Sequence, residues 1–114
     1  NSAVASLYQP FHPAVLRTIR SIIASGHKHN RWVGMCGEMA GDPLATIPLL
    51  GMGLDEFSVI PTVLPEIKKI IRSIRYRDAK RTAERVLGLA TEAEIRIVLA
   101  EAIRTRLPDL PLEE

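Results

Sequence analysis

The chain is poor in cysteine, in aromatic residues and in long apolar runs. One cysteine in 114 residues excludes an internal disulfide framework and any zinc or iron–sulfur site built from several cysteines. No run of about 18 apolar residues exists, so no transmembrane helix is expected. No basic-then-apolar signal stands at the start, and a reduced, cytoplasmic compartment is the default. A net charge of +2 is too slight to imply nucleic acid. Hydrophobic residues make up 46% of the chain, which excludes wholesale disorder. The length suits one modest domain with a core of its own. The chain begins at Asn1 without a methionine, as a processed chain or an excised piece of a longer protein would.

Residues 1–11 read as a mixed, turn-like lead. His12-Pro13 reads as a helix start, with Pro13 where its missing N–H costs nothing. Val15, Leu16, Ile19, Ile22 and Ile23 recur at helical spacing, and Gly26 is the expected stop. Residues 26–31 read as a polar loop. Residues 32–36 form a short apolar run, expected to be a strand buried on both faces of a parallel sheet. After a loop, Asp42-Pro43 caps a helix carrying Leu44, Ala45, Ile47, Leu49 and Leu50. Pro48 should kink or shorten it. Residues 56–60 are the second strand candidate. A long helix follows, with Leu64, Ile67, Ile70, Ile71 and Ile74 inward. Asp78 is expected to cap the next helix, with Ala79, Ala83, Val86 and Leu87 as its apolar stripe. Thr91 and Glu94 form a capping box before Ile95, Leu99, Ala102, Ile103 and Leu107. Pro108 and Pro111 mark an expected frayed tail. Strands alternating with helices predict an α/β fold of βαβ units. Two parallel strands alone make a poor sheet and each wants neighbours.

The chemistry concentrates in Gly34-Met35-Cys36-Gly37-Glu38-Met39-Ala40-Gly41-Asp42. Cys36 stands where an apolar strand gives way to a glycine-bounded loop, and active sites form at the carboxyl ends of such strands. Gly37 lets backbone pass close to a ligand. Glu38 either solvates the loop or orients the thiol or a substrate-bound water. Asp42 is explained by capping. A lone cysteine also has a reading as a small core hydrophobe.

The run from Met35 to Asp42 resembles the cysteine motif of the PEP-utilising enzymes, with the best match in the enzyme I family of the bacterial PEP-dependent phosphotransferase system. Leu7-Tyr8-Gln9-Pro10-Phe11-His12-Pro13 resembles the stretch preceding that motif. Leu50-Gly51-Met52-Gly53-Leu54-Asp55-Glu56-Phe57-Ser58 resembles the stretch following it, and Ile67-Lys68-Lys69-Ile70-Ile71-Arg72 fits as well. The resemblance implies that residues 1–114 are the C-terminal portion of a PEP-binding (β/α)8 TIM barrel. It would run from helix six through strand seven, helix seven, strand eight and helix eight into a C-terminal helical extension.

The resemblance further implies transfer of the PEP phosphoryl group to an enzyme histidine and then to a histidine-containing phosphocarrier protein. Cys36 matches the family's proton donor to enolpyruvate, with Gly37 and Glu38 beside it as candidate substrate-binding residues. A thiol titrating ordinarily near pH ~8.5 holds its proton at neutrality and can yield it to a basic enolate carbon. The Mg2+ ligands and most phosphate-binding groups of the family lie upstream of Asn1 in the pattern, and so does the carrier histidine's domain. None of His12, His27 and His29 sits in the carrier histidine's motif. The implied cofactor is therefore Mg2+ held elsewhere, with no metal site in this chain, and the piece alone is expected to be inactive. A homodimer through the barrel domain is implied, with no nucleic acid and no membrane partner. Pyruvate phosphate dikinase and PEP synthase share the motif and are the alternative. A stand-alone dimerisation or interaction module is the alternative of another class.

Other residues carry plainer expectations. Trp32, Met35, Met39 and Met52 read as packing residues. His27 and His29 read as parts of a solvated loop, since a metal pair has no third ligand nearby. Residues 61–85 hold eight Lys+Arg against three Asp+Glu. That cluster has no interleaved aromatic except Tyr76 and reads as a solvated helix surface.

Overall fold

The computed structural model describes residues 8–112. Residues 1–7 of the turn-like lead and the acidic end at 113–114 lie outside the described residues. Five helices and two short strands follow one another: α1 (Pro13–Lys28), β1 (Gly34–Met35), α2 (Pro43–Gly51), β2 (Glu56–Phe57), α3 (Leu64–Arg72), α4 (Tyr76–Leu87) and α5 (Glu92–Arg106). A single turn of 3₁₀ helix, Met39–Gly41, precedes α2. β1 and β2 pair in parallel, Gly34 opposite Glu56 and Met35 opposite Phe57, with α2 as the crossover. The fold is thus helix-rich α/β, and the described residues supply no third strand.

Helix α2 is the centre of the core. Seven of its nine residues are buried, including Leu44, Ala45, Ile47 and Leu49. A helix apolar all round must be covered all round, and α3, α4, α5 and the 3₁₀ turn pack against it. Its start follows the expected rule, because the Asp42 carboxylate accepts the Leu44 N–H at 2.9 Å. Thr46 is fully buried, and its hydroxyl donates to the Asp42 carbonyl at 3.4 Å. Pro48 has no N–H for the preceding turn, and the helix closes three residues later at Gly51.

Gly51 sets how close α4 approaches. A Cβ there would lie 2.1 Å from the Ala79 carbonyl oxygen and 2.9 Å from the Ala83 Cβ. Ala79 and Ala83 are the small residues of the α4 stripe and are buried, as the sequence indicates. The long residues of that stripe, Val86 and Leu87, fill the space beyond. Each fully buried aliphatic side chain of such an interface contributes about 1.5–3 kcal/mol.

Several boundaries differ from the sequence reading, each for a local reason. Helix α1 runs through Gly26 to Lys28. Its stop is Asn30, in the left-handed region at φ 59°. The Asn30 N–H donates to the His27 carbonyl and the Arg31 N–H to the Gly26 carbonyl, at 3.0 and 2.9 Å. That pair of bonds is a Schellman cap. Gly26 answers a different need, since a Cβ there would lie 2.5 Å from a Val33 methyl. The polar loop expected at 26–31 therefore shifts to residues 29–33, taking Trp32 and Val33 from the expected strand.

Helix α4 starts before Asp78, because the Arg75 carbonyl accepts the N–H groups of Asp78 and Ala79, both at 3.0 Å. Asp78 sits in the first turn, where its charge suits the helix dipole. The helix expected to run through Ile74 ends at Arg72, where the Ser73 hydroxyl takes the Ile70 carbonyl at 2.6 Å. The C-terminal tail is not frayed over its described length: Leu107, Leu110 and Leu112 pack against the core.

Thr91 caps α5 as expected, with the Glu94 carboxylate meeting its hydroxyl. Thr91 Oγ1 accepts the Glu94 N–H at 3.2 Å and donates to the Glu94 carboxylate at 2.9 Å. Next to it, Glu92 ties the two ends of the fold together. Its carboxylate accepts the Phe11 N–H at 3.0 Å and pairs with Arg96 Nε at 3.3 Å. Arg96 stands over the Phe11 ring, 4.9 Å from its centroid.

The α2–α4 contact yields a direct test. Gly51→Ala should lower stability by about 1–3 kcal/mol, because backbone and not a flexible side chain blocks the new methyl. Urea unfolding reads this as a lower midpoint at unchanged slope. A midpoint equal to that of the parent chain would mean that α4 is free to shift outward.

Candidate functional site

The backbone alternation of β1 and β2 divides their side chains between two faces. Val33, Met35 and Phe57 pack against the helical core. Gly34, Cys36, Glu56 and Ser58 are exposed on the other face. The strand expected to be buried on both faces is therefore covered on one. Trp32 is 69% exposed, so its expected core packing is not met, whereas Met35, Met39 and Met52 do pack against the core.

Cys36 lies one residue beyond the carboxyl end of β1, with its thiol exposed. The pairing extends to its neighbour, since the Ser58 N–H donates to the Met35 carbonyl at 2.9 Å. Cys36 and Ser58 thus occupy adjacent positions on neighbouring strands. The Ser58 hydroxyl donates to Glu56 Oε1 at 3.2 Å, which adds a carboxylate to the same face. Glu56 and Ser58 are missed by a motif reading centred on Cys36. Their signal is the polar–apolar–polar alternation around Phe57.

Gly37 follows at φ 94°, a region that disfavours any side chain. A Cβ there would meet nothing within 4 Å, so the backbone turn, not crowding, requires the glycine. Glu38 lies elsewhere. It lines a cleft of about 680 Å3 together with Tyr8, Asp42, Glu66, Arg96 and Leu112, and neither Cys36 nor Gly37 is among its walls. Partial burial, then the Glu38 and Asp42 carboxylates, push the Tyr8 phenol above its ordinary pKa, against the opposing pull of Arg96. The three candidate residues are therefore split, with the thiol on the sheet face and the Glu38 carboxylate at this separate cleft.

His27 and His29 are helix-end residues and not a solvated loop. His29 Nδ1 lies 2.8 Å from the Ser25 carbonyl. His27 Nε2 lies 2.7 Å from Asp55 Oδ2, the oxygen that also accepts the Val33 N–H at 2.8 Å. Asp55 in turn donates its own N–H to the Val33 carbonyl at 2.9 Å. Gly53, at φ 93°, makes room for the His27 ring, since a Cβ there would lie 3.3 Å from it. The basic residues of the 61–85 segment are exposed on α3, α4 and the turn between them, as expected of a solvated surface. Among the described residues, no three His, Cys, Asp or Glu side chains converge as metal ligands. None of the described helices is long and apolar enough to cross a membrane.

A thiol at the carboxyl end of a parallel strand, followed by a left-handed glycine, is the geometry of the motif noted in the sequence. Residues 1–76 match the family described as PEP-utilising enzyme, PEP-binding domain. The chain belongs to that family. It is 48% identical over 101 residues to a phosphoenolpyruvate-protein phosphotransferase of Haemophilus influenzae, covering 89% of this chain and 18% of that protein. A protein of the same name from Buchnera aphidicola subsp. Acyrthosiphon pisum is 50% identical over 95 residues, 83% of this chain and 17% of its own length. One from Bacillus subtilis is 41% identical over 104 residues, 91% of this chain and 18% of its own length. The chain thus spans less than a fifth of the curated relatives it matches.

The Asp55 arrangement sets an expected pH response. The hydrogen bond from His27, then the one from the Val33 amide, hold the Asp55 carboxyl below its ordinary pKa of 3.8. A folded-state value below the unfolded one makes its contribution complete above pH 3.8, and the contribution is lost as pH falls through the folded value. Asp55→Asn should therefore flatten the acid limb of the stability curve below pH 3.8. Thermal midpoints of both chains across that range check this, and parallel curves would refute it.

Proposed function

We propose that this chain is the cysteine-bearing end of a PEP-binding (β/α)8 domain in a PEP–protein phosphotransferase, with Cys36 as the proton donor to enolpyruvate. The observation that carries the reading is the exposed thiol at the carboxyl end of β1, on the sheet face turned away from the helices. In a closed barrel that face would point inward, and the strand ends would open onto the substrate. In this reading α1 is the sixth barrel helix, β1 to α3 supply the last two strand–helix units, and α4 and α5 form the C-terminal extension.

The chemistry asked of Cys36 is one proton transfer. The phosphoryl group leaves PEP for an enzyme histidine and later reaches a histidine-containing phosphocarrier protein. The enolate left behind takes the thiol proton on its methylene carbon, giving pyruvate and a thiolate, and the thiolate regains a proton from solvent. Gly37 would admit substrate close to the backbone beside the thiol. Glu38, two residues beyond the thiol, would meet substrate from the cleft that it lines. Mg2+ would supply charge neutralisation at the phosphoryl group, held in this reading by residues outside the chain. The reading carries with it a cytoplasmic location and a homodimer formed through this domain. The names of the relatives favour it over a pyruvate phosphate dikinase or PEP synthase.

In a full-length phosphotransferase carrying this segment, Cys36→Ala should reduce pyruvate formation by about 10²–10⁴-fold, the usual worth of a general acid. The 114-residue chain alone should form no pyruvate from PEP and Mg2+. Full turnover by the Cys36→Ala enzyme would sink the assigned role, and turnover by the chain alone would sink the assignment to part of a domain.

Association is the second readout. Trp32, Ile60 and Ile97 are 69%, 66% and 61% exposed, apolar surface that favours self-association. Light scattering should report an oligomer, and a clean 12.6 kDa monomer at high concentration would contradict it.

A further inference from the structure

Cys36 sits in surroundings that do little to hold it. Its side chain is exposed, the next residue is a glycine with open space around it, and the ladder that carries it pairs two residues on each strand. A ladder that short does not hold itself together. Packing of Met35 and Phe57 on the core holds one face, and the register along the strand is set by bonds at its ends. One end is the Ser58 N–H on the Met35 carbonyl at 2.9 Å. The other end is Asp55, which makes two bonds to Val33, one through its amide at 2.9 Å and one through its carboxylate at 2.8 Å. The two bonds close a ring between the strands. Such a ring forbids slippage, because shifting β1 by one residue breaks both bonds at once and exchanges the faces of Met35 and Cys36.

The same carboxylate oxygen meets His27 Nε2 at 2.7 Å. A charged acceptor serving two donors at these distances forms the stronger kind of hydrogen bond. His27 lies in the last turn of α1, and Gly53 is bare where the imidazole passes. The start of β1 is thus referenced to a 16-residue helix as well as to β2. Only Gly34 and Met35 lie between Val33 and Cys36, so an error in where β1 begins becomes an error in where the thiol stands.

We infer that Asp55 is the positioning residue for the Cys36 thiol, setting the register of β1 against β2 and α1 through its bonds to Val33 and His27. This rests on the reading of Cys36 as the proton donor. The prospective role is mechanical: Asp55 touches no reacting atom and acts through the strand it fixes.

The test uses the single cysteine as its own reporter. A nitroxide attached at Cys36 of the 114-residue chain reads the order of that position without any activity. Asp55→Ala should shorten the label's rotational correlation time about twofold at temperatures well below the unfolding midpoint. Asp55→Asn keeps an acceptor for the Val33 amide and should restore most of the order. In the full-length enzyme, Asp55→Ala should lower kcat about tenfold or more, with KM for PEP within about twofold, as misplacement of a reacting group does.

The outcomes separate the two ideas. If Cys36→Ala abolishes turnover while Asp55→Ala leaves both the label and kcat unchanged, the positioning role is overturned and the proton-donor reading stands. If Cys36→Ala turns over normally, the proton-donor reading fails, and with it the catalytic consequence drawn for Asp55. Should Asp55→Ala not fold, His27→Ala decides: increased label mobility with a folded circular dichroism spectrum supports the inference, and a parent-like label spectrum overturns it.

Discussion

The near-contact between Gly51 and the Ala79 backbone governs the rest of the architecture. α2 is apolar on every side, so it has no stable position except at the centre of other elements. A glycine at its last residue lets α4 come within backbone distance, and the small residues of α4 accept that approach. Once α2 is seated, the strands it connects are delivered to one side of it. A helix stripe of alanines is thus a steric specification more than an energetic one. The larger residues beyond it supply the burial, and the glycine decides where they land.

The sheet is the opposite case, a small element held by polar bonds. β1 and β2 bury only one row of side chains, Met35 and Phe57, against the helices. Their outward row is Gly34, Cys36, Glu56 and Ser58, which is exposed and carries the polar groups of the pair. A strand pair that keeps its reactive face uncovered cannot rely on packing from both sides. The hydrogen bonds at Asp55 and Ser58 take over part of that task. Precision at the thiol therefore depends on charged and polar contacts that pH and ionic conditions reach more easily than a core.

Local signals in the sequence were legible where the physics is local. Asp42-Pro43 and Thr91 with Glu94 announce helix starts because a cap bonds within a few residues. The stripe of Ala79, Ala83, Val86 and Leu87 is readable because helical period alone assigns a face. The errors come from residues that answer to distant partners. Gly26 resembles a helix stop, yet it is bare because Val33 comes back against it, and Asn30 takes the left-handed position instead. Trp32 looks like a core residue, but it lies on an uncovered part of the surface. The His27–Asp55 pair spans 28 residues, and no spacing rule connects them. The left-handed turn at Gly37 was legible because it is written in consecutive residues, while Glu56 and Ser58 reach the face of Cys36 only through strand pairing.

The bond between the Phe11 amide and the Glu92 carboxylate bears on how the chain acquires its shape. Its partners are 81 residues apart, and Arg96 stacks on the same phenyl ring. Such a closure forfeits a long loop's entropy before anything is returned, and contacts of high sequence separation slow folding. The Phe11 amide, just ahead of α1, gains this acceptor only once Glu92 in the first turn of α5 is in place, so the two ends of the described segment are fixed together.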